Sequence, residues 1–323
     1  MIRAAIVGLG RWGKTLVDAV QGRSERLCFT HAVGRDPERV RGDAAARGLA
    51  VAEFAAVLAD PAVDAVVLAT PHSRHLGEIC AAAAAGKAVF CEKPLTLTKA
   101  EALRAVAACR DAGVVLGIGH DKRYYPSMIE LARLAASGEL GPILHLEANF
   151  SNEVAATQFT PWRDSERESP AGGLTGTGIH MLDALVRMAG PVRRVQAQLL
   201  SQKPAPDPHD TLSVILEFAS GASGLLAAVR STPTFWRAHV FGRNGSAEAI
   251  GRNEIVVRKS GAEPERRRLA GGPDPVRANL EAFAAAVAGE APYPVAPEAI
   301  VATVAAFDAI VRACAKSGAG EEV

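Results

Sequence analysis

Two hydrophobic patterns divide this chain. Through the first 120 residues, short and almost uninterrupted apolar runs alternate with longer stretches that carry apolar residues at helical spacing. Strands buried on both faces read as continuous apolar runs, and their alternation with helices indicates a doubly wound parallel sheet. Thr98 and Glu101 have the spacing of a capping box for a helix that Gly113 ends. The predicted strands are residues 4–7, 27–33, 64–70, 87–91 and 114–118.

From about residue 121 the pattern changes, because apolar and polar residues now alternate with a period of two. Several such strands without intervening helices predict a mostly antiparallel sheet with one covered face and one more polar face. Residues 263–275 are charged and rich in Gly and Pro, and we predict a loop there, followed by helices near 275–288 and 298–315. The predicted strands are residues 144–151, 195–199, 212–218, 223–229, 238–241 and 255–258.

A glycine-rich turn joins the first predicted strand to the first predicted helix, residues 14–21. Gly8 permits the tight turn, Gly10 leaves the backbone bare toward a pyrophosphate, and Gly13 lets the helix pack closely on the strand. Glycines also occur in strand–helix turns for steric reasons alone, but the strand before and the helix after favour a dinucleotide site. The candidate cofactor-binding residues of this turn are Gly8, Leu9, Gly10, Arg11, Trp12 and Gly13.

Length, charge and cysteine content limit the classes to which this protein can belong. A chain of 323 residues with 49% hydrophobic residues suggests two domains, a dinucleotide-binding Rossmann domain at 1–120 and a substrate-binding and oligomerisation domain at 121–323. Because 36 basic and 35 acidic side chains nearly cancel, we expect a small-molecule partner, with neither nucleic acid nor a membrane bound. Five cysteines without CxxC spacing indicate a reduced cytoplasmic protein without a metal site. No apolar stretch approaches the roughly 18 residues of a membrane span.

Polar residues follow several of the predicted parallel strands. Because ligands of such sheets lie beyond the carboxyl ends of the strands, we expect these residues along one edge, with the glycine turn. The candidate cofactor-binding residues that join the turn there are Arg35, Thr70, Pro71, His72, His75, Glu92 and Lys93. His72 and His75 either contact the cofactor or only close their loop.

The end of the second strand is where this type of fold meets the adenosine ribose. Gly34 stands where a carboxylate for the 2′-hydroxyl would be expected, and Arg35 follows it. An arginine suits a 2′-phosphate, so the pattern favours NADP over NAD, although Arg35 can also be a solvated loop charge. Asp36 reads as a helix N-cap with Pro37 at the first helical position.

Lys93 is the candidate reactive group of this edge. Burial and a neighbouring nicotinamide cation both disfavour an ammonium, and they bring a lysine toward the range of a usable base. The alternative is an ordinary exposed lysine beside a loop proline.

A helix ending near Met188 supplies the candidates of the second half. At 3.6 residues per turn, His180, Asp183 and Arg187 share a flank that is distinct from the apolar stripe. His180 either reaches a ligand or packs against the sheet, and Asp183 either binds substrate or pairs with Arg187 four residues later.

Four motifs of the chain belong together: GLGRWG, ATPHSRH, AGKAVFCEKP, and WR followed after seven residues by AGGLTGTGIHMLD. Their combination resembles the glucose-fructose oxidoreductase/inositol dehydrogenase (Gfo/Idh/MocA) family, and the resemblance extends to the ending SGAGEEV. It implies a Rossmann domain, a C-terminal α/β domain whose large open sheet commonly mediates dimerisation, and NAD(P)-dependent chemistry on sugars, cyclitols and related polyols.

The resemblance also implies roles for single residues. The family's EKP lysine falls on Lys93, its proline Pro94 is often preceded by a cis peptide, and its motif histidine falls on His180. The family's aspartate four residues before that histidine is Gly176 here, so half of the usual acid–base pair is absent.

These observations predict an oxidoreductase that transfers a hydride between NAD or NADP and a carbinol or carbonyl carbon of a polyol. Lys93 and His180 are its predicted catalytic residues, and both also belong with Asp183 to the predicted substrate site. We expect a homodimer or homotetramer. The alternative, motivated by Gly176, is a catalytically weak or inactive dinucleotide-binding sensor or regulatory protein of the same fold.

Overall fold

The structure is a computed structural model that describes residues 1–152, 165, 167–200, 210–230 and 232–316. The residues WR of the fourth motif and the ending SGAGEEV lie outside the described residues. The chain divides into two compact units, Met1–Asp121 with Pro273–Val301 and Lys122–Gly272 with Ala302–Val323. The second predicted domain therefore needs a correction, because residues 273–301 belong to the first unit.

The first unit contains the predicted parallel sheet flanked by helices. Its six strands have the order β3-β2-β1-β4-β5-β6, and every adjacent pair is parallel. The strands are β1 Ile2–Val7, β2 Leu27–Val33, β3 Ala50–Val51, β4 Ala65–Leu68, β5 Ala88–Cys91 and β6 Leu116–Ile118. The helices between them are α1 Arg11–Val20, α2 Pro37–Ala45, α3 Phe54–Ala59, α4 His75–Ala84 and α5 Lys99–Asp111.

The predicted helix ends of this unit are confirmed. The Asp36 side chain accepts a hydrogen bond from the Glu38 backbone N–H at 3.2 Å, directly before Pro37. Thr98 Oγ1 likewise accepts from the Glu101 N–H at 3.2 Å. Each cap satisfies a helical N–H that has no carbonyl partner within its helix.

A helix from late in the chain completes the first hydrophobic core and explains the corrected domain boundary. The helix α8, Pro275–Val287, buries Val276, Leu280 and Phe283 in the core cluster that contains β1, α1 and β2 residues. The Phe283 ring lies edge-on to Phe90 of β5, with 5.6 Å between ring centroids. The sequence pattern identifies α8 as amphipathic, but it does not identify the sheet that its apolar face covers.

The second unit contains a larger sheet with the order β14-β13-β12-β11-β7-β10-β9-β8. Strands β7 and β10 pair in parallel, and the other adjacent pairs are antiparallel, so the predicted mostly antiparallel sheet is confirmed. The strands are β7 Ile143–Ser151, β8 Val192–Leu200, β9 Thr211–Phe218, β10 Ser223–Val229, β11 Phe235–Gly242, β12 Gly245–Ile250, β13 Glu254–Lys259 and β14 Glu265–Arg268. The remaining helices are α6 Pro126–Ala136, α7 Ile179–Ala189 and α9 Pro297–Cys314.

Strand β14 corrects the loop that was predicted for residues 263–275. Its sequence, ERRR, has no alternation of apolar and polar residues, because it forms the edge of the sheet and three of its four residues are exposed. Charged side chains on an edge strand discourage pairing with other chains, so a real strand here carries a loop-like composition.

The two faces of the larger sheet differ in burial, although the open face is less polar than predicted. Along β9, Leu212, Val214 and Leu216 are at most 2% exposed, whereas Ile215 between them is 53% exposed. Leu225, the cross-strand neighbour of Ile215, is 43% exposed.

Two further properties concern the chain as described. All five cysteines are free thiols. No helix in the described ranges is long and apolar enough to cross a membrane.

Candidate active site

The glycine turn is closely packed at Gly8 and Gly13 and open at Gly10. Gly8 has a φ of +96°, and a Cβ there would lie 2.7 Å from the carbonyl oxygen of Ala69. A Cβ on Gly13 would lie 2.0 Å from the carbonyl oxygen of Gly8, whereas a Cβ on Gly10 would meet nothing within 4 Å. Gly8 and Gly13 therefore allow close packing, and Gly10 leaves open space beside the backbone.

The start of α1 faces this space without a side-chain cap. Gly10 is the N-cap residue, and the hydrogen bond from the Lys14 N–H to the Gly10 carbonyl, at 2.9 Å, closes the first helical turn. The N–H groups of the first turn have no carbonyl partners within the helix, and the helix dipole favours negative charge there. These residues therefore fit the phosphates of a dinucleotide.

The predicted residues follow their strands along one edge of the parallel sheet, as the sheet order requires. The glycine turn follows β1, the central strand, and Thr70 follows its neighbour β4. Arg35 follows β2 on one side of β1, whereas Glu92 and Lys93 follow β5 on the far side of β4. Ligands in open parallel sheets bind outside these carboxyl ends.

The two histidines of the loop after β4 are buried, His72 at 6% and His75 at 0% exposure. His75 Nδ1 lies 3.0 Å from the carbonyl oxygen of Pro94, and its Nε2 lies 3.1 Å from that of Thr70. These contacts connect the loop after β4 to the loop after β5. They favour the alternative in which His75 only closes its loop. Its contact with a cofactor stays a prediction.

Glu92 and Lys93 occupy the start of the loop after β5. Lys93 is half-buried, and the Lys93–Pro94 peptide is cis, as the resemblance implies. Glu92 is buried, and its Oε2 accepts a hydrogen bond from the Lys93 backbone N–H at 3.3 Å. Burial raises the pKa of Glu92 to about 7, against the opposing effects of the Trp12 indole and the Lys93 ammonium.

Space around Glu92 depends on a glycine that the sequence analysis passed over. A Cβ on Gly119, which follows β6, would lie 2.4 Å from the Glu92 carboxylate. A side chain at this position would therefore displace Glu92.

The loop after β2 presents Arg35 to solvent. Arg35 forms no hydrogen bond or ion pair with a described residue, whereas Arg39 pairs with Asp36 at 3.1 Å. A Cβ on Gly34 would lie 2.7 Å from Val40 Cγ1, so the packing of α2 disfavours the carboxylate that an NAD site would carry at this position.

In the second unit, α7 holds both predicted residues, His180 at 7% and Asp183 at 1% exposure. The His180 ring lies 6.3 Å from the Phe150 ring of β7, centroid to centroid. Asp183 accepts two hydrogen bonds from Arg123, at 2.6 and 2.7 Å from its nitrogens. Arg123 is therefore the hydrogen-bonded partner of Asp183, whereas the alternative partner, Arg187, is linked to Asp183 by an electrostatic attraction that raises the pKa of Arg187.

Arg123 is a residue that the sequence reasoning missed. It lies in a short 3₁₀ turn, Asp121–Tyr124, with no periodic pattern to mark it. Its role depends on a long-range contact with α7, which a local pattern cannot reveal.

Gly176 lies in a π-helical turn, Leu174–Gly178, immediately before α7. A Cβ there would meet nothing within 4 Å. The absence of an aspartate at this position is therefore not imposed by lack of space for its Cβ.

Comparisons with known proteins agree with this architecture. A family model described as "Oxidoreductase family, NAD-binding Rossmann fold" matches residues 2–120, and one described as "GFO/IDH/MocA C-terminal domain" matches residues 128–248. The chain is 32% identical to the scyllo-inositol 2-dehydrogenase (NAD(+)) of Bacillus subtilis, over 76% of this chain and 72% of that protein. It is 30% identical to D-xylose 1-dehydrogenase (NADP(+)) 2 of Haloferax volcanii, over 96% of each chain.

A solved structure extends the similarity to the whole fold. The aldose-aldose oxidoreductase from Caulobacter crescentus, complexed with glycerol, has a TM-score of 0.85 and 26% identity, over 98% of each chain.

Proposed function

Because the chain belongs to the GFO/IDH/MocA oxidoreductase family, we propose that it transfers a hydride between a nicotinamide cofactor and a carbinol or carbonyl carbon of a polyol. Sugars and cyclitols are the proposed substrate class, supported by the names of the relatives. The observation that carries the proposal is the bare glycine turn on the same sheet edge as the loop that carries Lys93. The relatives described above carry the names of enzymes, so the sensor alternative has no support.

The nicotinamide ring, when bound, supplies the hydride chemistry. We assign its binding to the glycine turn and to the loops that follow β2, β4 and β5, with phosphates against the start of α1. The proposed cofactor-binding residues are Gly8, Leu9, Gly10, Arg11, Trp12, Gly13, Arg35, Thr70, Pro71, His72, His75, Glu92 and Lys93.

Lys93 is the proposed base. In oxidation, its neutral amine accepts the hydroxyl proton as the hydride leaves the carbinol carbon, and in reduction its ammonium returns that proton to the carbonyl oxygen. Glu92 is partly protonated near neutral pH because burial raises its pKa to about 7. A protonated neighbour stabilises the Lys93 ammonium less than a carboxylate would, which helps Lys93 to lose its proton.

His180 is the proposed second catalytic residue. We assign it a hydrogen bond to the reacting oxygen or to the adjacent one, which polarises the carbonyl in the direction of reduction. Asp183 stays a proposed member of the substrate site, although its carboxylate already binds Arg123.

The proposal extends to NADP as the preferred cofactor, to a homodimer or homotetramer and to a cytoplasmic location. Arg35 supports NADP, since its guanidinium forms no hydrogen bond or ion pair with a described residue and suits a 2′-phosphate. The exposed apolar pair Ile215 and Leu225 on the open sheet face supports the homodimer or homotetramer. The five free thiols support the cytoplasmic location.

Replacing Lys93 by Met tests the proposal. We expect kcat for a polyol substrate to fall by about 10²–10⁴-fold, the range for loss of a general base, while the Kd for the cofactor changes little. Initial rates of cofactor reduction across a polyol panel, combined with calorimetric titration of NAD and NADP, measure both quantities.

Lys99→Met is the matched control, because Lys99 is exposed and starts the next helix. Unchanged turnover in the Lys93 variant would refute the assignment of the base. Failure of both pyridine nucleotides to bind the wild-type protein would refute the proposed function itself.

A further inference from the structure

The sheet edge that carries the glycine turn also carries a buried carboxyl group, that of Glu92. The residue is 7% exposed and directly follows β5. It forms no ion pair with a described residue, whereas Glu78, the other buried glutamate in the described part of the first unit, pairs with Arg74 at 2.8 Å. A buried carboxylate is costly to ionise without a cation beside it. No described side chain therefore compensates a charge on Glu92 by direct pairing.

Three neighbours determine where this carboxyl group lies. The Lys93 backbone N–H donates to Oε2 at 3.3 Å, and a Cβ on Gly119 would lie 2.4 Å from Oε1 and 2.7 Å from Oε2. The Trp12 indole, in the first turn of α1, acts on the same carboxyl group, although its buried nitrogen forms no hydrogen bond of regular geometry with a described atom. Glu92 is therefore a neighbour of the helix turn to which we assign the cofactor phosphates.

The titratable groups around Glu92 come from its own strand end and from the chain after β6. They are Cys91 and Lys93 on either side of it, and Asp121. Burial, the largest influence, and the charge of Asp121 raise the pKa of Glu92 to about 7, against the opposing effects of the Trp12 indole and the Lys93 ammonium. Near neutral pH the neutral and ionised forms are therefore close to balance, and a further charge nearby decides which form prevails.

The two redox forms of a nicotinamide cofactor differ in charge at the ring, which is a cation when oxidised and neutral when reduced. Lys93, the proposed base, has to reach the hydroxyl of the reacting carbon, and the ring exchanges a hydride with that same carbon. The proposed function therefore brings the ring near Glu92. In a poorly hydrated site, the charge of the ring and that of a carboxylate interact strongly.

We propose that Glu92 distinguishes the oxidised from the reduced cofactor, because its carboxylate compensates the ring cation and its neutral carboxyl form suits the reduced ring. This inference rests on the proposed function, since it needs a nicotinamide beside Lys93. When the oxidised cofactor binds, the carboxyl O–H bond of Glu92 breaks and the proton passes to the buffer. When the reduced cofactor binds, Glu92 keeps its proton.

The inference leaves the role of Lys93 unchanged. An ionised Glu92 beside a ring cation is a nearly neutral neighbour, and so is a protonated Glu92 without that cation. In both situations the Lys93 ammonium gains little from Glu92, so Lys93 can lose its proton and act as the base.

Calorimetric titration counts the protons that cofactor binding releases. NAD and NADH, and separately NADP and NADPH, are titrated at pH 7 in two buffers of different ionisation enthalpy. The two redox forms of one cofactor carry the same phosphates, so phosphate titration cancels in the comparison. We expect the oxidised form to release about half a proton more than the reduced form, because Glu92 is about half protonated near its pKa of about 7.

The affinities should follow the same proton linkage. Between pH 6 and pH 8 the Kd of the oxidised form should fall about tenfold relative to that of the reduced form, because the ionised fraction of Glu92 rises by about that factor. The same titrations measure both constants. A ratio of the two Kd values that stays constant over this range would overturn the inference.

Variants identify the group that releases the proton. Glu92→Gln should abolish the difference in proton release between the oxidised and reduced forms, whereas Lys93→Met should keep it. A difference that Glu92→Gln keeps and Lys93→Met loses would assign the proton to Lys93 and overturn the inference. Glu25→Gln is the matched control and should keep the difference, because Glu25 is exposed and precedes β2, at the opposite edge of the sheet.

Gly119→Ala is a second variant in case Glu92→Gln does not fold. Gly119 has no positive φ, so its backbone accepts alanine, but the added Cβ would displace the Glu92 carboxyl group. A carboxyl group that loses its burial ionises near its ordinary pKa and has little proton left to release at pH 7. The difference in proton release should therefore shrink, and an unchanged difference would contradict the inference.

The outcomes separate this inference from the proposed function. If neither redox form of either cofactor binds the wild-type protein, the proposed function fails and the role of Glu92 fails with it. If the wild-type protein oxidises a polyol while both redox forms release the same number of protons, the dehydrogenase proposal is supported and only the role of Glu92 is refuted.

Discussion

At the scale of single residues, burial changes the acidity of Glu92, which is the neighbour of the proposed base Lys93. It is buried beside Lys93, and burial raises its pKa to about 7 from the ordinary 4.5. A buried acid of this kind is neutral in the folded protein over a pH range where it is ionised in the unfolded chain. The free energy of unfolding must therefore depend on pH through this residue.

We predict that Glu92 destabilises the fold as pH rises. The folded state holds its proton up to about pH 7 and the unfolded state only up to about 4.5, so stability is highest below 4.5 and is lost as pH rises through 7. Glu92→Gln removes this dependence. The difference in unfolding free energy between variant and wild type should shift by at most about 3 kcal/mol between pH 4 and pH 8.

Urea denaturation at several pH values measures that difference. Glu25→Gln, at an exposed position, serves as the control and should show no comparable shift. The prediction would be contradicted if the unfolding free energies of Glu92→Gln and wild type differed by the same amount at every pH in this range.

We interpret Arg35 as the residue that determines the preference for NADP over NAD. Arg35→Gln should raise the Kd for NADP by about tenfold and leave that for NAD within about twofold, because only the 2′-phosphate loses a charged partner. Fluorescence titration with both reduced cofactors measures the change. Arg39→Gln is the control, since Arg39 is exposed and paired with Asp36. Equal losses for the two cofactors would argue against a 2′-phosphate contact.

At the scale of elements, α7 is fixed by a buried ion pair. Its residue Asp183 pairs with Arg123, and their side chains are 2% and 10% exposed. Removing one member of a buried pair leaves an uncompensated charge in a poorly hydrated site. The position of His180, on the same helix, therefore depends on Arg123.

We predict that Asp183→Asn lowers the free energy of unfolding by about 3–5 kcal/mol. Glu38→Gln, which breaks the exposed pair with Arg41 on α2, should cost no more than about 1 kcal/mol. Thermal and chemical denaturation compare the two variants. Similar losses of unfolding free energy in the two variants would contradict the prediction that the buried pair contributes more stability than the exposed one.

At the scale of the whole molecule, the open face of the larger sheet is the proposed contact between copies of the chain. Ile215, Leu225 and Phe235 are each more than 40% exposed on three different strands. Several exposed large apolar side chains on one sheet favour burial against a partner. The proposed oligomer is the simplest means of covering them.

Leu225→Glu should dissociate that oligomer, because it places a charge in an apolar contact. Leu103→Glu is the control, as Leu103 is 49% exposed on α5 of the first unit. Light scattering after size-exclusion chromatography measures the molar mass. A wild-type protein that elutes as a monomer would refute the proposed interface.

The sequence predicted the architecture of both sheets because the signals are local. Period-two alternation located β7, β9 and β10, and continuous apolar runs located β4 and β5. The caps at Asp36 and Thr98 were predictable because a cap bonds within one turn of its own helix. Strand β14 was missed, because an edge strand buries no face and therefore carries no apolar pattern.

What the sequence determined by itself is the set of elements, the glycine turn and the strand ends that carry polar residues, since each depends on neighbours within a few positions. Only the tertiary structure decided that α8 belongs to the first unit and that Asp183 binds Arg123. It alone also placed the Glu92 carboxyl group beside Gly119 and the Trp12 indole. These pairings join residues far apart in the chain, and packing and charge select them only after the elements have formed.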